Sequence, residues 1–142
     1  MRLAMRRTRL ALLLLAGTVG VLTLASAQQP LAWAQAQPGV WEISGVPGAS
    51  APVRQCVSDL AALALFEHRG KNCASKVISN SGSSTVIEYR CGASGFGRSQ
   101  VDVITPRSLR IDTQGISAQL PFSYVLQARR IGDCSTQAAA RH

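Results

Sequence analysis

The sequence predicts a mainly β domain with one short helix: an antiparallel meander curled into a half-barrel or partly open barrel. Three observations carry that reading. From Val40 onward apolar and polar residues alternate in short runs, the two-residue period of strands with one packed and one wet face. Gly, Pro, Ser and Asn break these runs at close intervals, as hairpin turns require. One stretch alone has helical composition, and a single short helix cannot cover six or seven strands, so the sheet must curl to cover itself.

Ahead of this domain the sequence reads as an export signal over residues 1–27. Arginines at positions 2, 6, 7 and 9 precede an unbroken apolar run over residues 10–24, and Ala25-Ser26-Ala27 is a small-residue cleavage site. The run falls short of the about 20 residues that span a bilayer, so membrane contact is expected only through the signal before cleavage. Arg9 stands where twin-arginine signals prefer a bulky apolar residue, which favours the general secretory route. Ala34 and Ala36 also close small-x-small triplets, so cleavage as late as residue 36 stays open, and residues 28–38 read as a flexible leader. Cleavage after Ala27 leaves 115 of the 142 residues: one domain over residues 39–134 with a modest core, then a disordered tail over residues 135–142.

The elements follow in order. Residues 40–44 open the sheet with Trp41 and Ile43 on one face, and Gly45-Val46-Pro47-Gly48 turns the chain toward a weaker strand over residues 52–57. Ser58 is a candidate N-cap, Asp59 suits the positive end of the helix dipole, and residues 60–66 are strong helix formers that stop at Gly70. About three turns fit, and they must be stabilised by laying Leu60, Leu63 and Phe66 on the sheet. Residues 77–78 and 86–90 flank the polar loop Asn80-Ser81-Gly82-Ser83-Ser84 as a hairpin. Residues 99–105 and 108–112 alternate Val101, Val103, Leu109 and Ile111 against polar neighbours across a Pro106-Arg107 turn, and residues 121–131 gather Phe122, Tyr124, Leu126 and Ala128 on one side. Residues 92–97, Gly-Ala-Ser-Gly-Phe-Gly, read as a flexible strand connection. They lack the Lys-Ser/Thr and following helix of a phosphate loop, and Phe96 is placed to cap the open end of the sheet as the candidate loop for ligand contacts.

An exported chain reaches an oxidising compartment, so Cys56, Cys73, Cys91 and Cys134 read as two disulfides. If the hairpin is symmetric about Gly82, then Asn80 faces Ser84, Val77 faces Ile87 and Cys73 faces Cys91, at the spacing a cross-strand disulfide accepts. That leaves Cys56 for Cys134, although the spacing leaves Cys56 to Cys73 open. A zinc site is not expected, because there is no C-x₂-C and neither His68 nor His142 forms a paired motif with a cysteine.

Charge adds little. Four of the fifteen Lys and Arg residues lie in the signal, so eleven remain against seven acids and the formal charge falls from +8 to +4. Without a clustered basic stripe or aromatic platforms, nucleic acid is not an expected partner. His68, at the end of the helix beside Arg69, suits the helix dipole, and no G-x-S-x-G elbow accompanies it. Glu42, Glu88, Asp102 and Asp112 fall at alternating strand positions beside polar or basic residues, which makes them wet-face partners of residues such as Arg90 and Arg110. No cofactor is implied.

Pro38-Gly39-Val40-Trp41-Glu42, Cys56-Val57 before the helix, Tyr89-Arg90-Cys91-Gly92 at a strand end and the closing Arg130-Ile131-Gly132-Asp133-Cys134 together resemble DUF3617, a family of small exported proteins of Gram-negative bacteria. The resemblance implies a periplasmic or secreted β-rich domain with paired cysteines and no assigned activity, and it transfers no catalytic residue. Many members have a Met- and Gly-rich stretch between strands. Here Met is absent after the signal, so soft-metal binding is not expected. The function expected first is non-enzymatic binding of a small apolar ligand or an envelope protein on the concave sheet face, because the alternating apolar face exceeds what one helix covers. An interaction module using a sheet edge comes second, and an envelope hydrolase built on the acids or His68 third.

Overall fold

The computed structural model describes residues 30–135. The expected signal over residues 1–27 lies outside these, as does the expected tail apart from Ser135. Seven strands form one fully antiparallel sheet: β1 (Gly39–Ser44), β2 (Val53–Val57), β3 (Ala74–Asn80), β4 (Ser84–Arg90), β5 (Gly95–Thr105), β6 (Ser108–Ser117) and β7 (Leu120–Gly132). Their order is β2-β1-β7-β6-β5-β4-β3, a meander in which the last strand returns to pair with the first, and both edges stay open.

The inner face carries the core. Trp41, Ile43, Leu109, Ile111 and Leu126 are fully buried, and Val57, Leu60, Leu63, Phe66, Ile87 and Tyr89 pack against them. The helix that covers them, α1 (Ala61–Ala64), is shorter than the sequence predicts: a single turn followed by a 3-10 turn at Phe66–His68. Asp59 rather than Ser58 caps it, its Oδ1 accepting the Ala61 N–H at 3.0 Å. An Ala-rich run this short gains too little from propensity to extend itself, and Leu63, Ala64, Phe66 and His68 are buried by following the sheet instead of a straight helix axis.

Three further expectations are corrected. The flexible leader is docked over its described part. Residues 30–36 form a strap with a 3-10 turn at Ala32–Gln35; Ala32 is fully buried, and its N–H donates to Thr85 Oγ1 at 2.7 Å while Thr85 Oγ1 donates to Asn80 Oδ1 at 2.8 Å. The hairpin keeps the predicted Val77 to Ile87 pairing, but a bulge at Ile78 shifts the register, so Asn80 faces Thr85 and not Ser84. The predicted flexible connection over residues 92–97 is only a 3-10 turn at Gly92–Ser94. β5 has already begun at Gly95, so Phe96 sits in a strand, paired with Arg90 and Ile116, and not in a loop.

The sulfurs stand at bonding distance as Cys73 with Cys91 and Cys56 with Cys134, with Cα separations of 4.1 and 5.6 Å. Cys91 belongs to the inner core. Cys56 alternates outward with Arg54 on β2, so its bridge lies on the opposite face and crosses over Val40 of β1 to reach the chain beyond β7.

Candidate functional site

The core side chains of the inner face are buried against one another. A cavity of about 960 Å³, open to solvent, lies on the outer face of β3 to β7 and not on the inner face where the sequence placed a ligand.

Three adjacent cross-strand rows build this hollow. The first row runs Ala74, Arg90, Phe96, Ile116, Pro121, and all its side chains point outward. The third, Lys76, Glu88, Arg98, Gln114, points outward too and is polar throughout. The middle row points inward and contains the pair Gly97 and Gly115. A Cβ on Gly97 would lie 2.5 Å from Tyr89 Cζ, and one on Gly115 would lie 2.6 Å from the Gly97 Cα. Glycine at both positions lets the Tyr89 and Phe122 rings fold across the strands from within and lets the sheet bend there. The outer face thus presents bare backbone between an apolar row and a polar one.

Phe96 is 46 % exposed, an unusual state for a phenyl ring, and the Arg90 guanidinium lies 5.8 Å from its centroid. Arg98 pairs with Glu88 at 3.5 Å. Among the described residues neither Lys76 nor Arg90 has a carboxylate at ion-pair distance, so the rim carries more positive than negative charge.

The profile of DUF3617, described as a protein of unknown function, matches residues 36–134. The chain belongs to the DUF3617 family. The match takes in all seven strands, the four cysteines and the whole of the hollow of this DUF3617 protein. No curated protein and no solved structure matches the chain.

Of the other sequence candidates in this DUF3617 chain, Asp102 and Asp112 come together on Arg110, apart from His68. His68 is buried on the inner face, and its Nε2–H donates to the Ser94 carbonyl at 3.0 Å, edge-on to the Tyr89 and Phe122 rings. The acids lie on the outer face, each answered by arginine: Glu42 by Arg129 and Arg54, Glu88 by Arg98, and Asp102 and Asp112 by Arg110. The Arg129 hydrogen bond is the main reason that the Glu42 carboxyl sits below its ordinary range. A hydrolase needs two such groups in one cleft; sheet register puts the acids on the outer face, whereas His68 packs beside Tyr89 and Phe122 on the inner one. No group of three or more His, Cys, Asp or Glu suited to a metal ion occurs among the described residues. Sequence reasoning singled out Phe96 but did not connect it to Ile116 and Pro121, because Phe96 and Ile116 lie beyond the predicted ends of β5 and β6, leaving Pro121, the first residue of the predicted last strand, without a partner.

Proposed function

We propose that this domain is a non-enzymatic binding module of the bacterial periplasm or exterior, and that its outer hollow takes the apolar body of a small ligand. The half-exposed Phe96, continued across the sheet by Ile116 and then Pro121 on a cavity of about 960 Å³, is the observation that carries the reading. Cavities of this size with a few polar groups at the rim are where small ligands bind. Two disulfides fit an oxidising extracellular compartment, and among the described residues no helix is long and apolar enough to cross a membrane.

The test is fluorescence of the neutral dye N-phenyl-1-naphthylamine with the purified mature chain. Saturable binding is expected, and Phe96→Ser should weaken it about tenfold, the order set by part-burying one aromatic ring. Dye binding that is absent, or indifferent to Phe96→Ser, overturns the reading.

A second reading has its own observation. β3 is a free edge, exposed along nearly its whole length, with Val77 and Ile78 about two-fifths exposed. It suits strand addition by a second copy, but Lys76 and the Ile78 bulge are devices that disfavour such pairing, so this reading ranks below the hollow. Sedimentation of the mature chain separates the two: a concentration-dependent dimer abolished by Ile78→Lys would raise the edge above the hollow.

A further inference from the structure

Resting on the binding reading above, the geometry points to a ligand of one class: a single-chain amphiphile with an anionic head, its tail on the Phe96 row and its head between Lys76 and Arg90. Charge and register together support this. Phe96, Ile116 and Pro121 form a continuous apolar track across β5, β6 and β7. Arg90 stands beside Phe96 in that same row, and Lys76 stands on β3 one outward position from Ala74, the row's last residue. The track therefore ends in Arg90, which has no carboxylate at ion-pair distance among the described residues, and in Lys76, whose cross-strand neighbour Glu88 is paired with the third cation of the rim, Arg98. At the other outward strand positions Arg54, Arg110 and Arg129 each have an acid partner, while Arg107 in the turn after β5 has none at ion-pair distance among the described residues. A cation beside an aromatic ring and left without an anion is an arrangement suited to a carboxylate or sulfate head on an apolar tail. A lone molecule fits better than a bilayer surface, because the apolar track lies within a cavity instead of on a protruding rim.

The experiment is displacement of bound N-phenyl-1-naphthylamine from the mature chain by submicellar dodecanoate, and by dodecyltrimethylammonium, which has the same tail and the opposite charge. Dodecanoate should compete roughly three- to tenfold better, the preference expected of two exposed cations, and added salt should erode that preference. Lys76→Gln with Arg90→Gln should bring the ratio close to one. Arg107→Gln, which removes a cation from the turn at the far end of β5, should leave the ratio as it was. Equal competition by the two amphiphiles, or a preference that survives the double substitution, overturns the proposal while the hollow stands. Failure of the dye and of dodecanoate, followed by calorimetry, to bind at all overturns the hollow itself. Co-sedimentation with phosphatidylcholine vesicles that Phe96→Ser abolishes would reassign the site to a membrane surface and likewise overturn it. Near-UV circular dichroism of each variant reports whether the fold is kept.

Discussion

At the scale of single residues, the two tyrosines of the chain have the clearest signature. Tyr89 and Tyr124 are both held above the ordinary phenol value of 10.0, burial being the largest cause in each, with the Glu67 carboxylate that accepts the Tyr124 O–H adding to the second. Between the unfolded and folded values the native state binds more protons, so this stability is whole below pH of about 10 and is lost as pH rises beyond it. Tyrosinate absorbance should therefore stay absent near pH 10 and appear together with loss of the tryptophan near-UV signal. Absorbance rising while that signal persists would show one ring to be solvated. A second residue-scale prediction concerns the turn between β6 and β7, where Ala118 and Gln119 both adopt positive φ, at 48° and 67°. A tight two-residue hairpin turn needs that backbone, and neither side chain favours it. Ala118→Asn with Gln119→Gly should raise stability by about 1–2 kcal/mol in denaturant titration. This turn was illegible in the sequence for the same reason: Ala-Gln carries no turn signal, so residues 113–120 gave no cue that β6 and β7 continue through them.

At the scale of elements, the strap over residues 30–36 and the helical segment show where composition misleads. Ala, Gln and Pro ahead of the sheet have the look of a mobile leader, yet Ala32 is a small knob that fits under the strand hairpin, and Thr85, fully buried, bonds the strap on one side and Asn80 on the other. Thr85→Val keeps the shape and leaves the Ala32 N–H without its acceptor, so it should cost about 1–3 kcal/mol and expose the strap to limited proteolysis. The proposed export would tie processing to the same contact. Cleavage after Ala34 or Ala36 would remove Ala32 from its seat, so the mature protein is expected to begin at Gln28, which intact-mass measurement of exported material checks. A mature chain starting at Gln35 or Gln37 would show that the strap is dispensable. α1 illustrates the converse case, since its existence and place were legible from Asp59 and the Leu60 to Phe66 run, while its length was not. Curvature of the sheet beneath it decided how many residues could stay helical and still bury Phe66 and His68.

For the whole molecule, the two bridges fasten opposite faces and opposite ends of one open sheet. Cys73 and Cys91 close a short loop of sequence separation 18 beside the inner core, and Cys56 and Cys134 close one of separation 78 across the outer face of β1. In the chain-entropy account the first contributes roughly 3 kcal/mol and the second roughly 4.5 kcal/mol by restricting the unfolded chain. Replacing Cys56 and Cys134 by serine should therefore lower stability in denaturant titration more than replacing Cys73 and Cys91. The opposite ranking would mean that the inner bridge acts mainly through core packing and not through loop closure.

The sequence by itself determined the strand class, the meander and which face of each strand is apolar, because alternation and turn residues are local properties of neighbouring side chains. It also placed Cys73 opposite Cys91, although the symmetric loop it assumed is offset at Asn80 and the Ile78 bulge restores that register. Only the tertiary structure decided which surface is filled and which is free. The inner face closes on Trp41 and Leu63 from distant elements, and the outer hollow is bounded by Phe96, Ile116 and Pro121, which the pairing of three strands brings into one row. That conjunction depends on the register of three paired strands, a non-local quantity that no window of sequence contains.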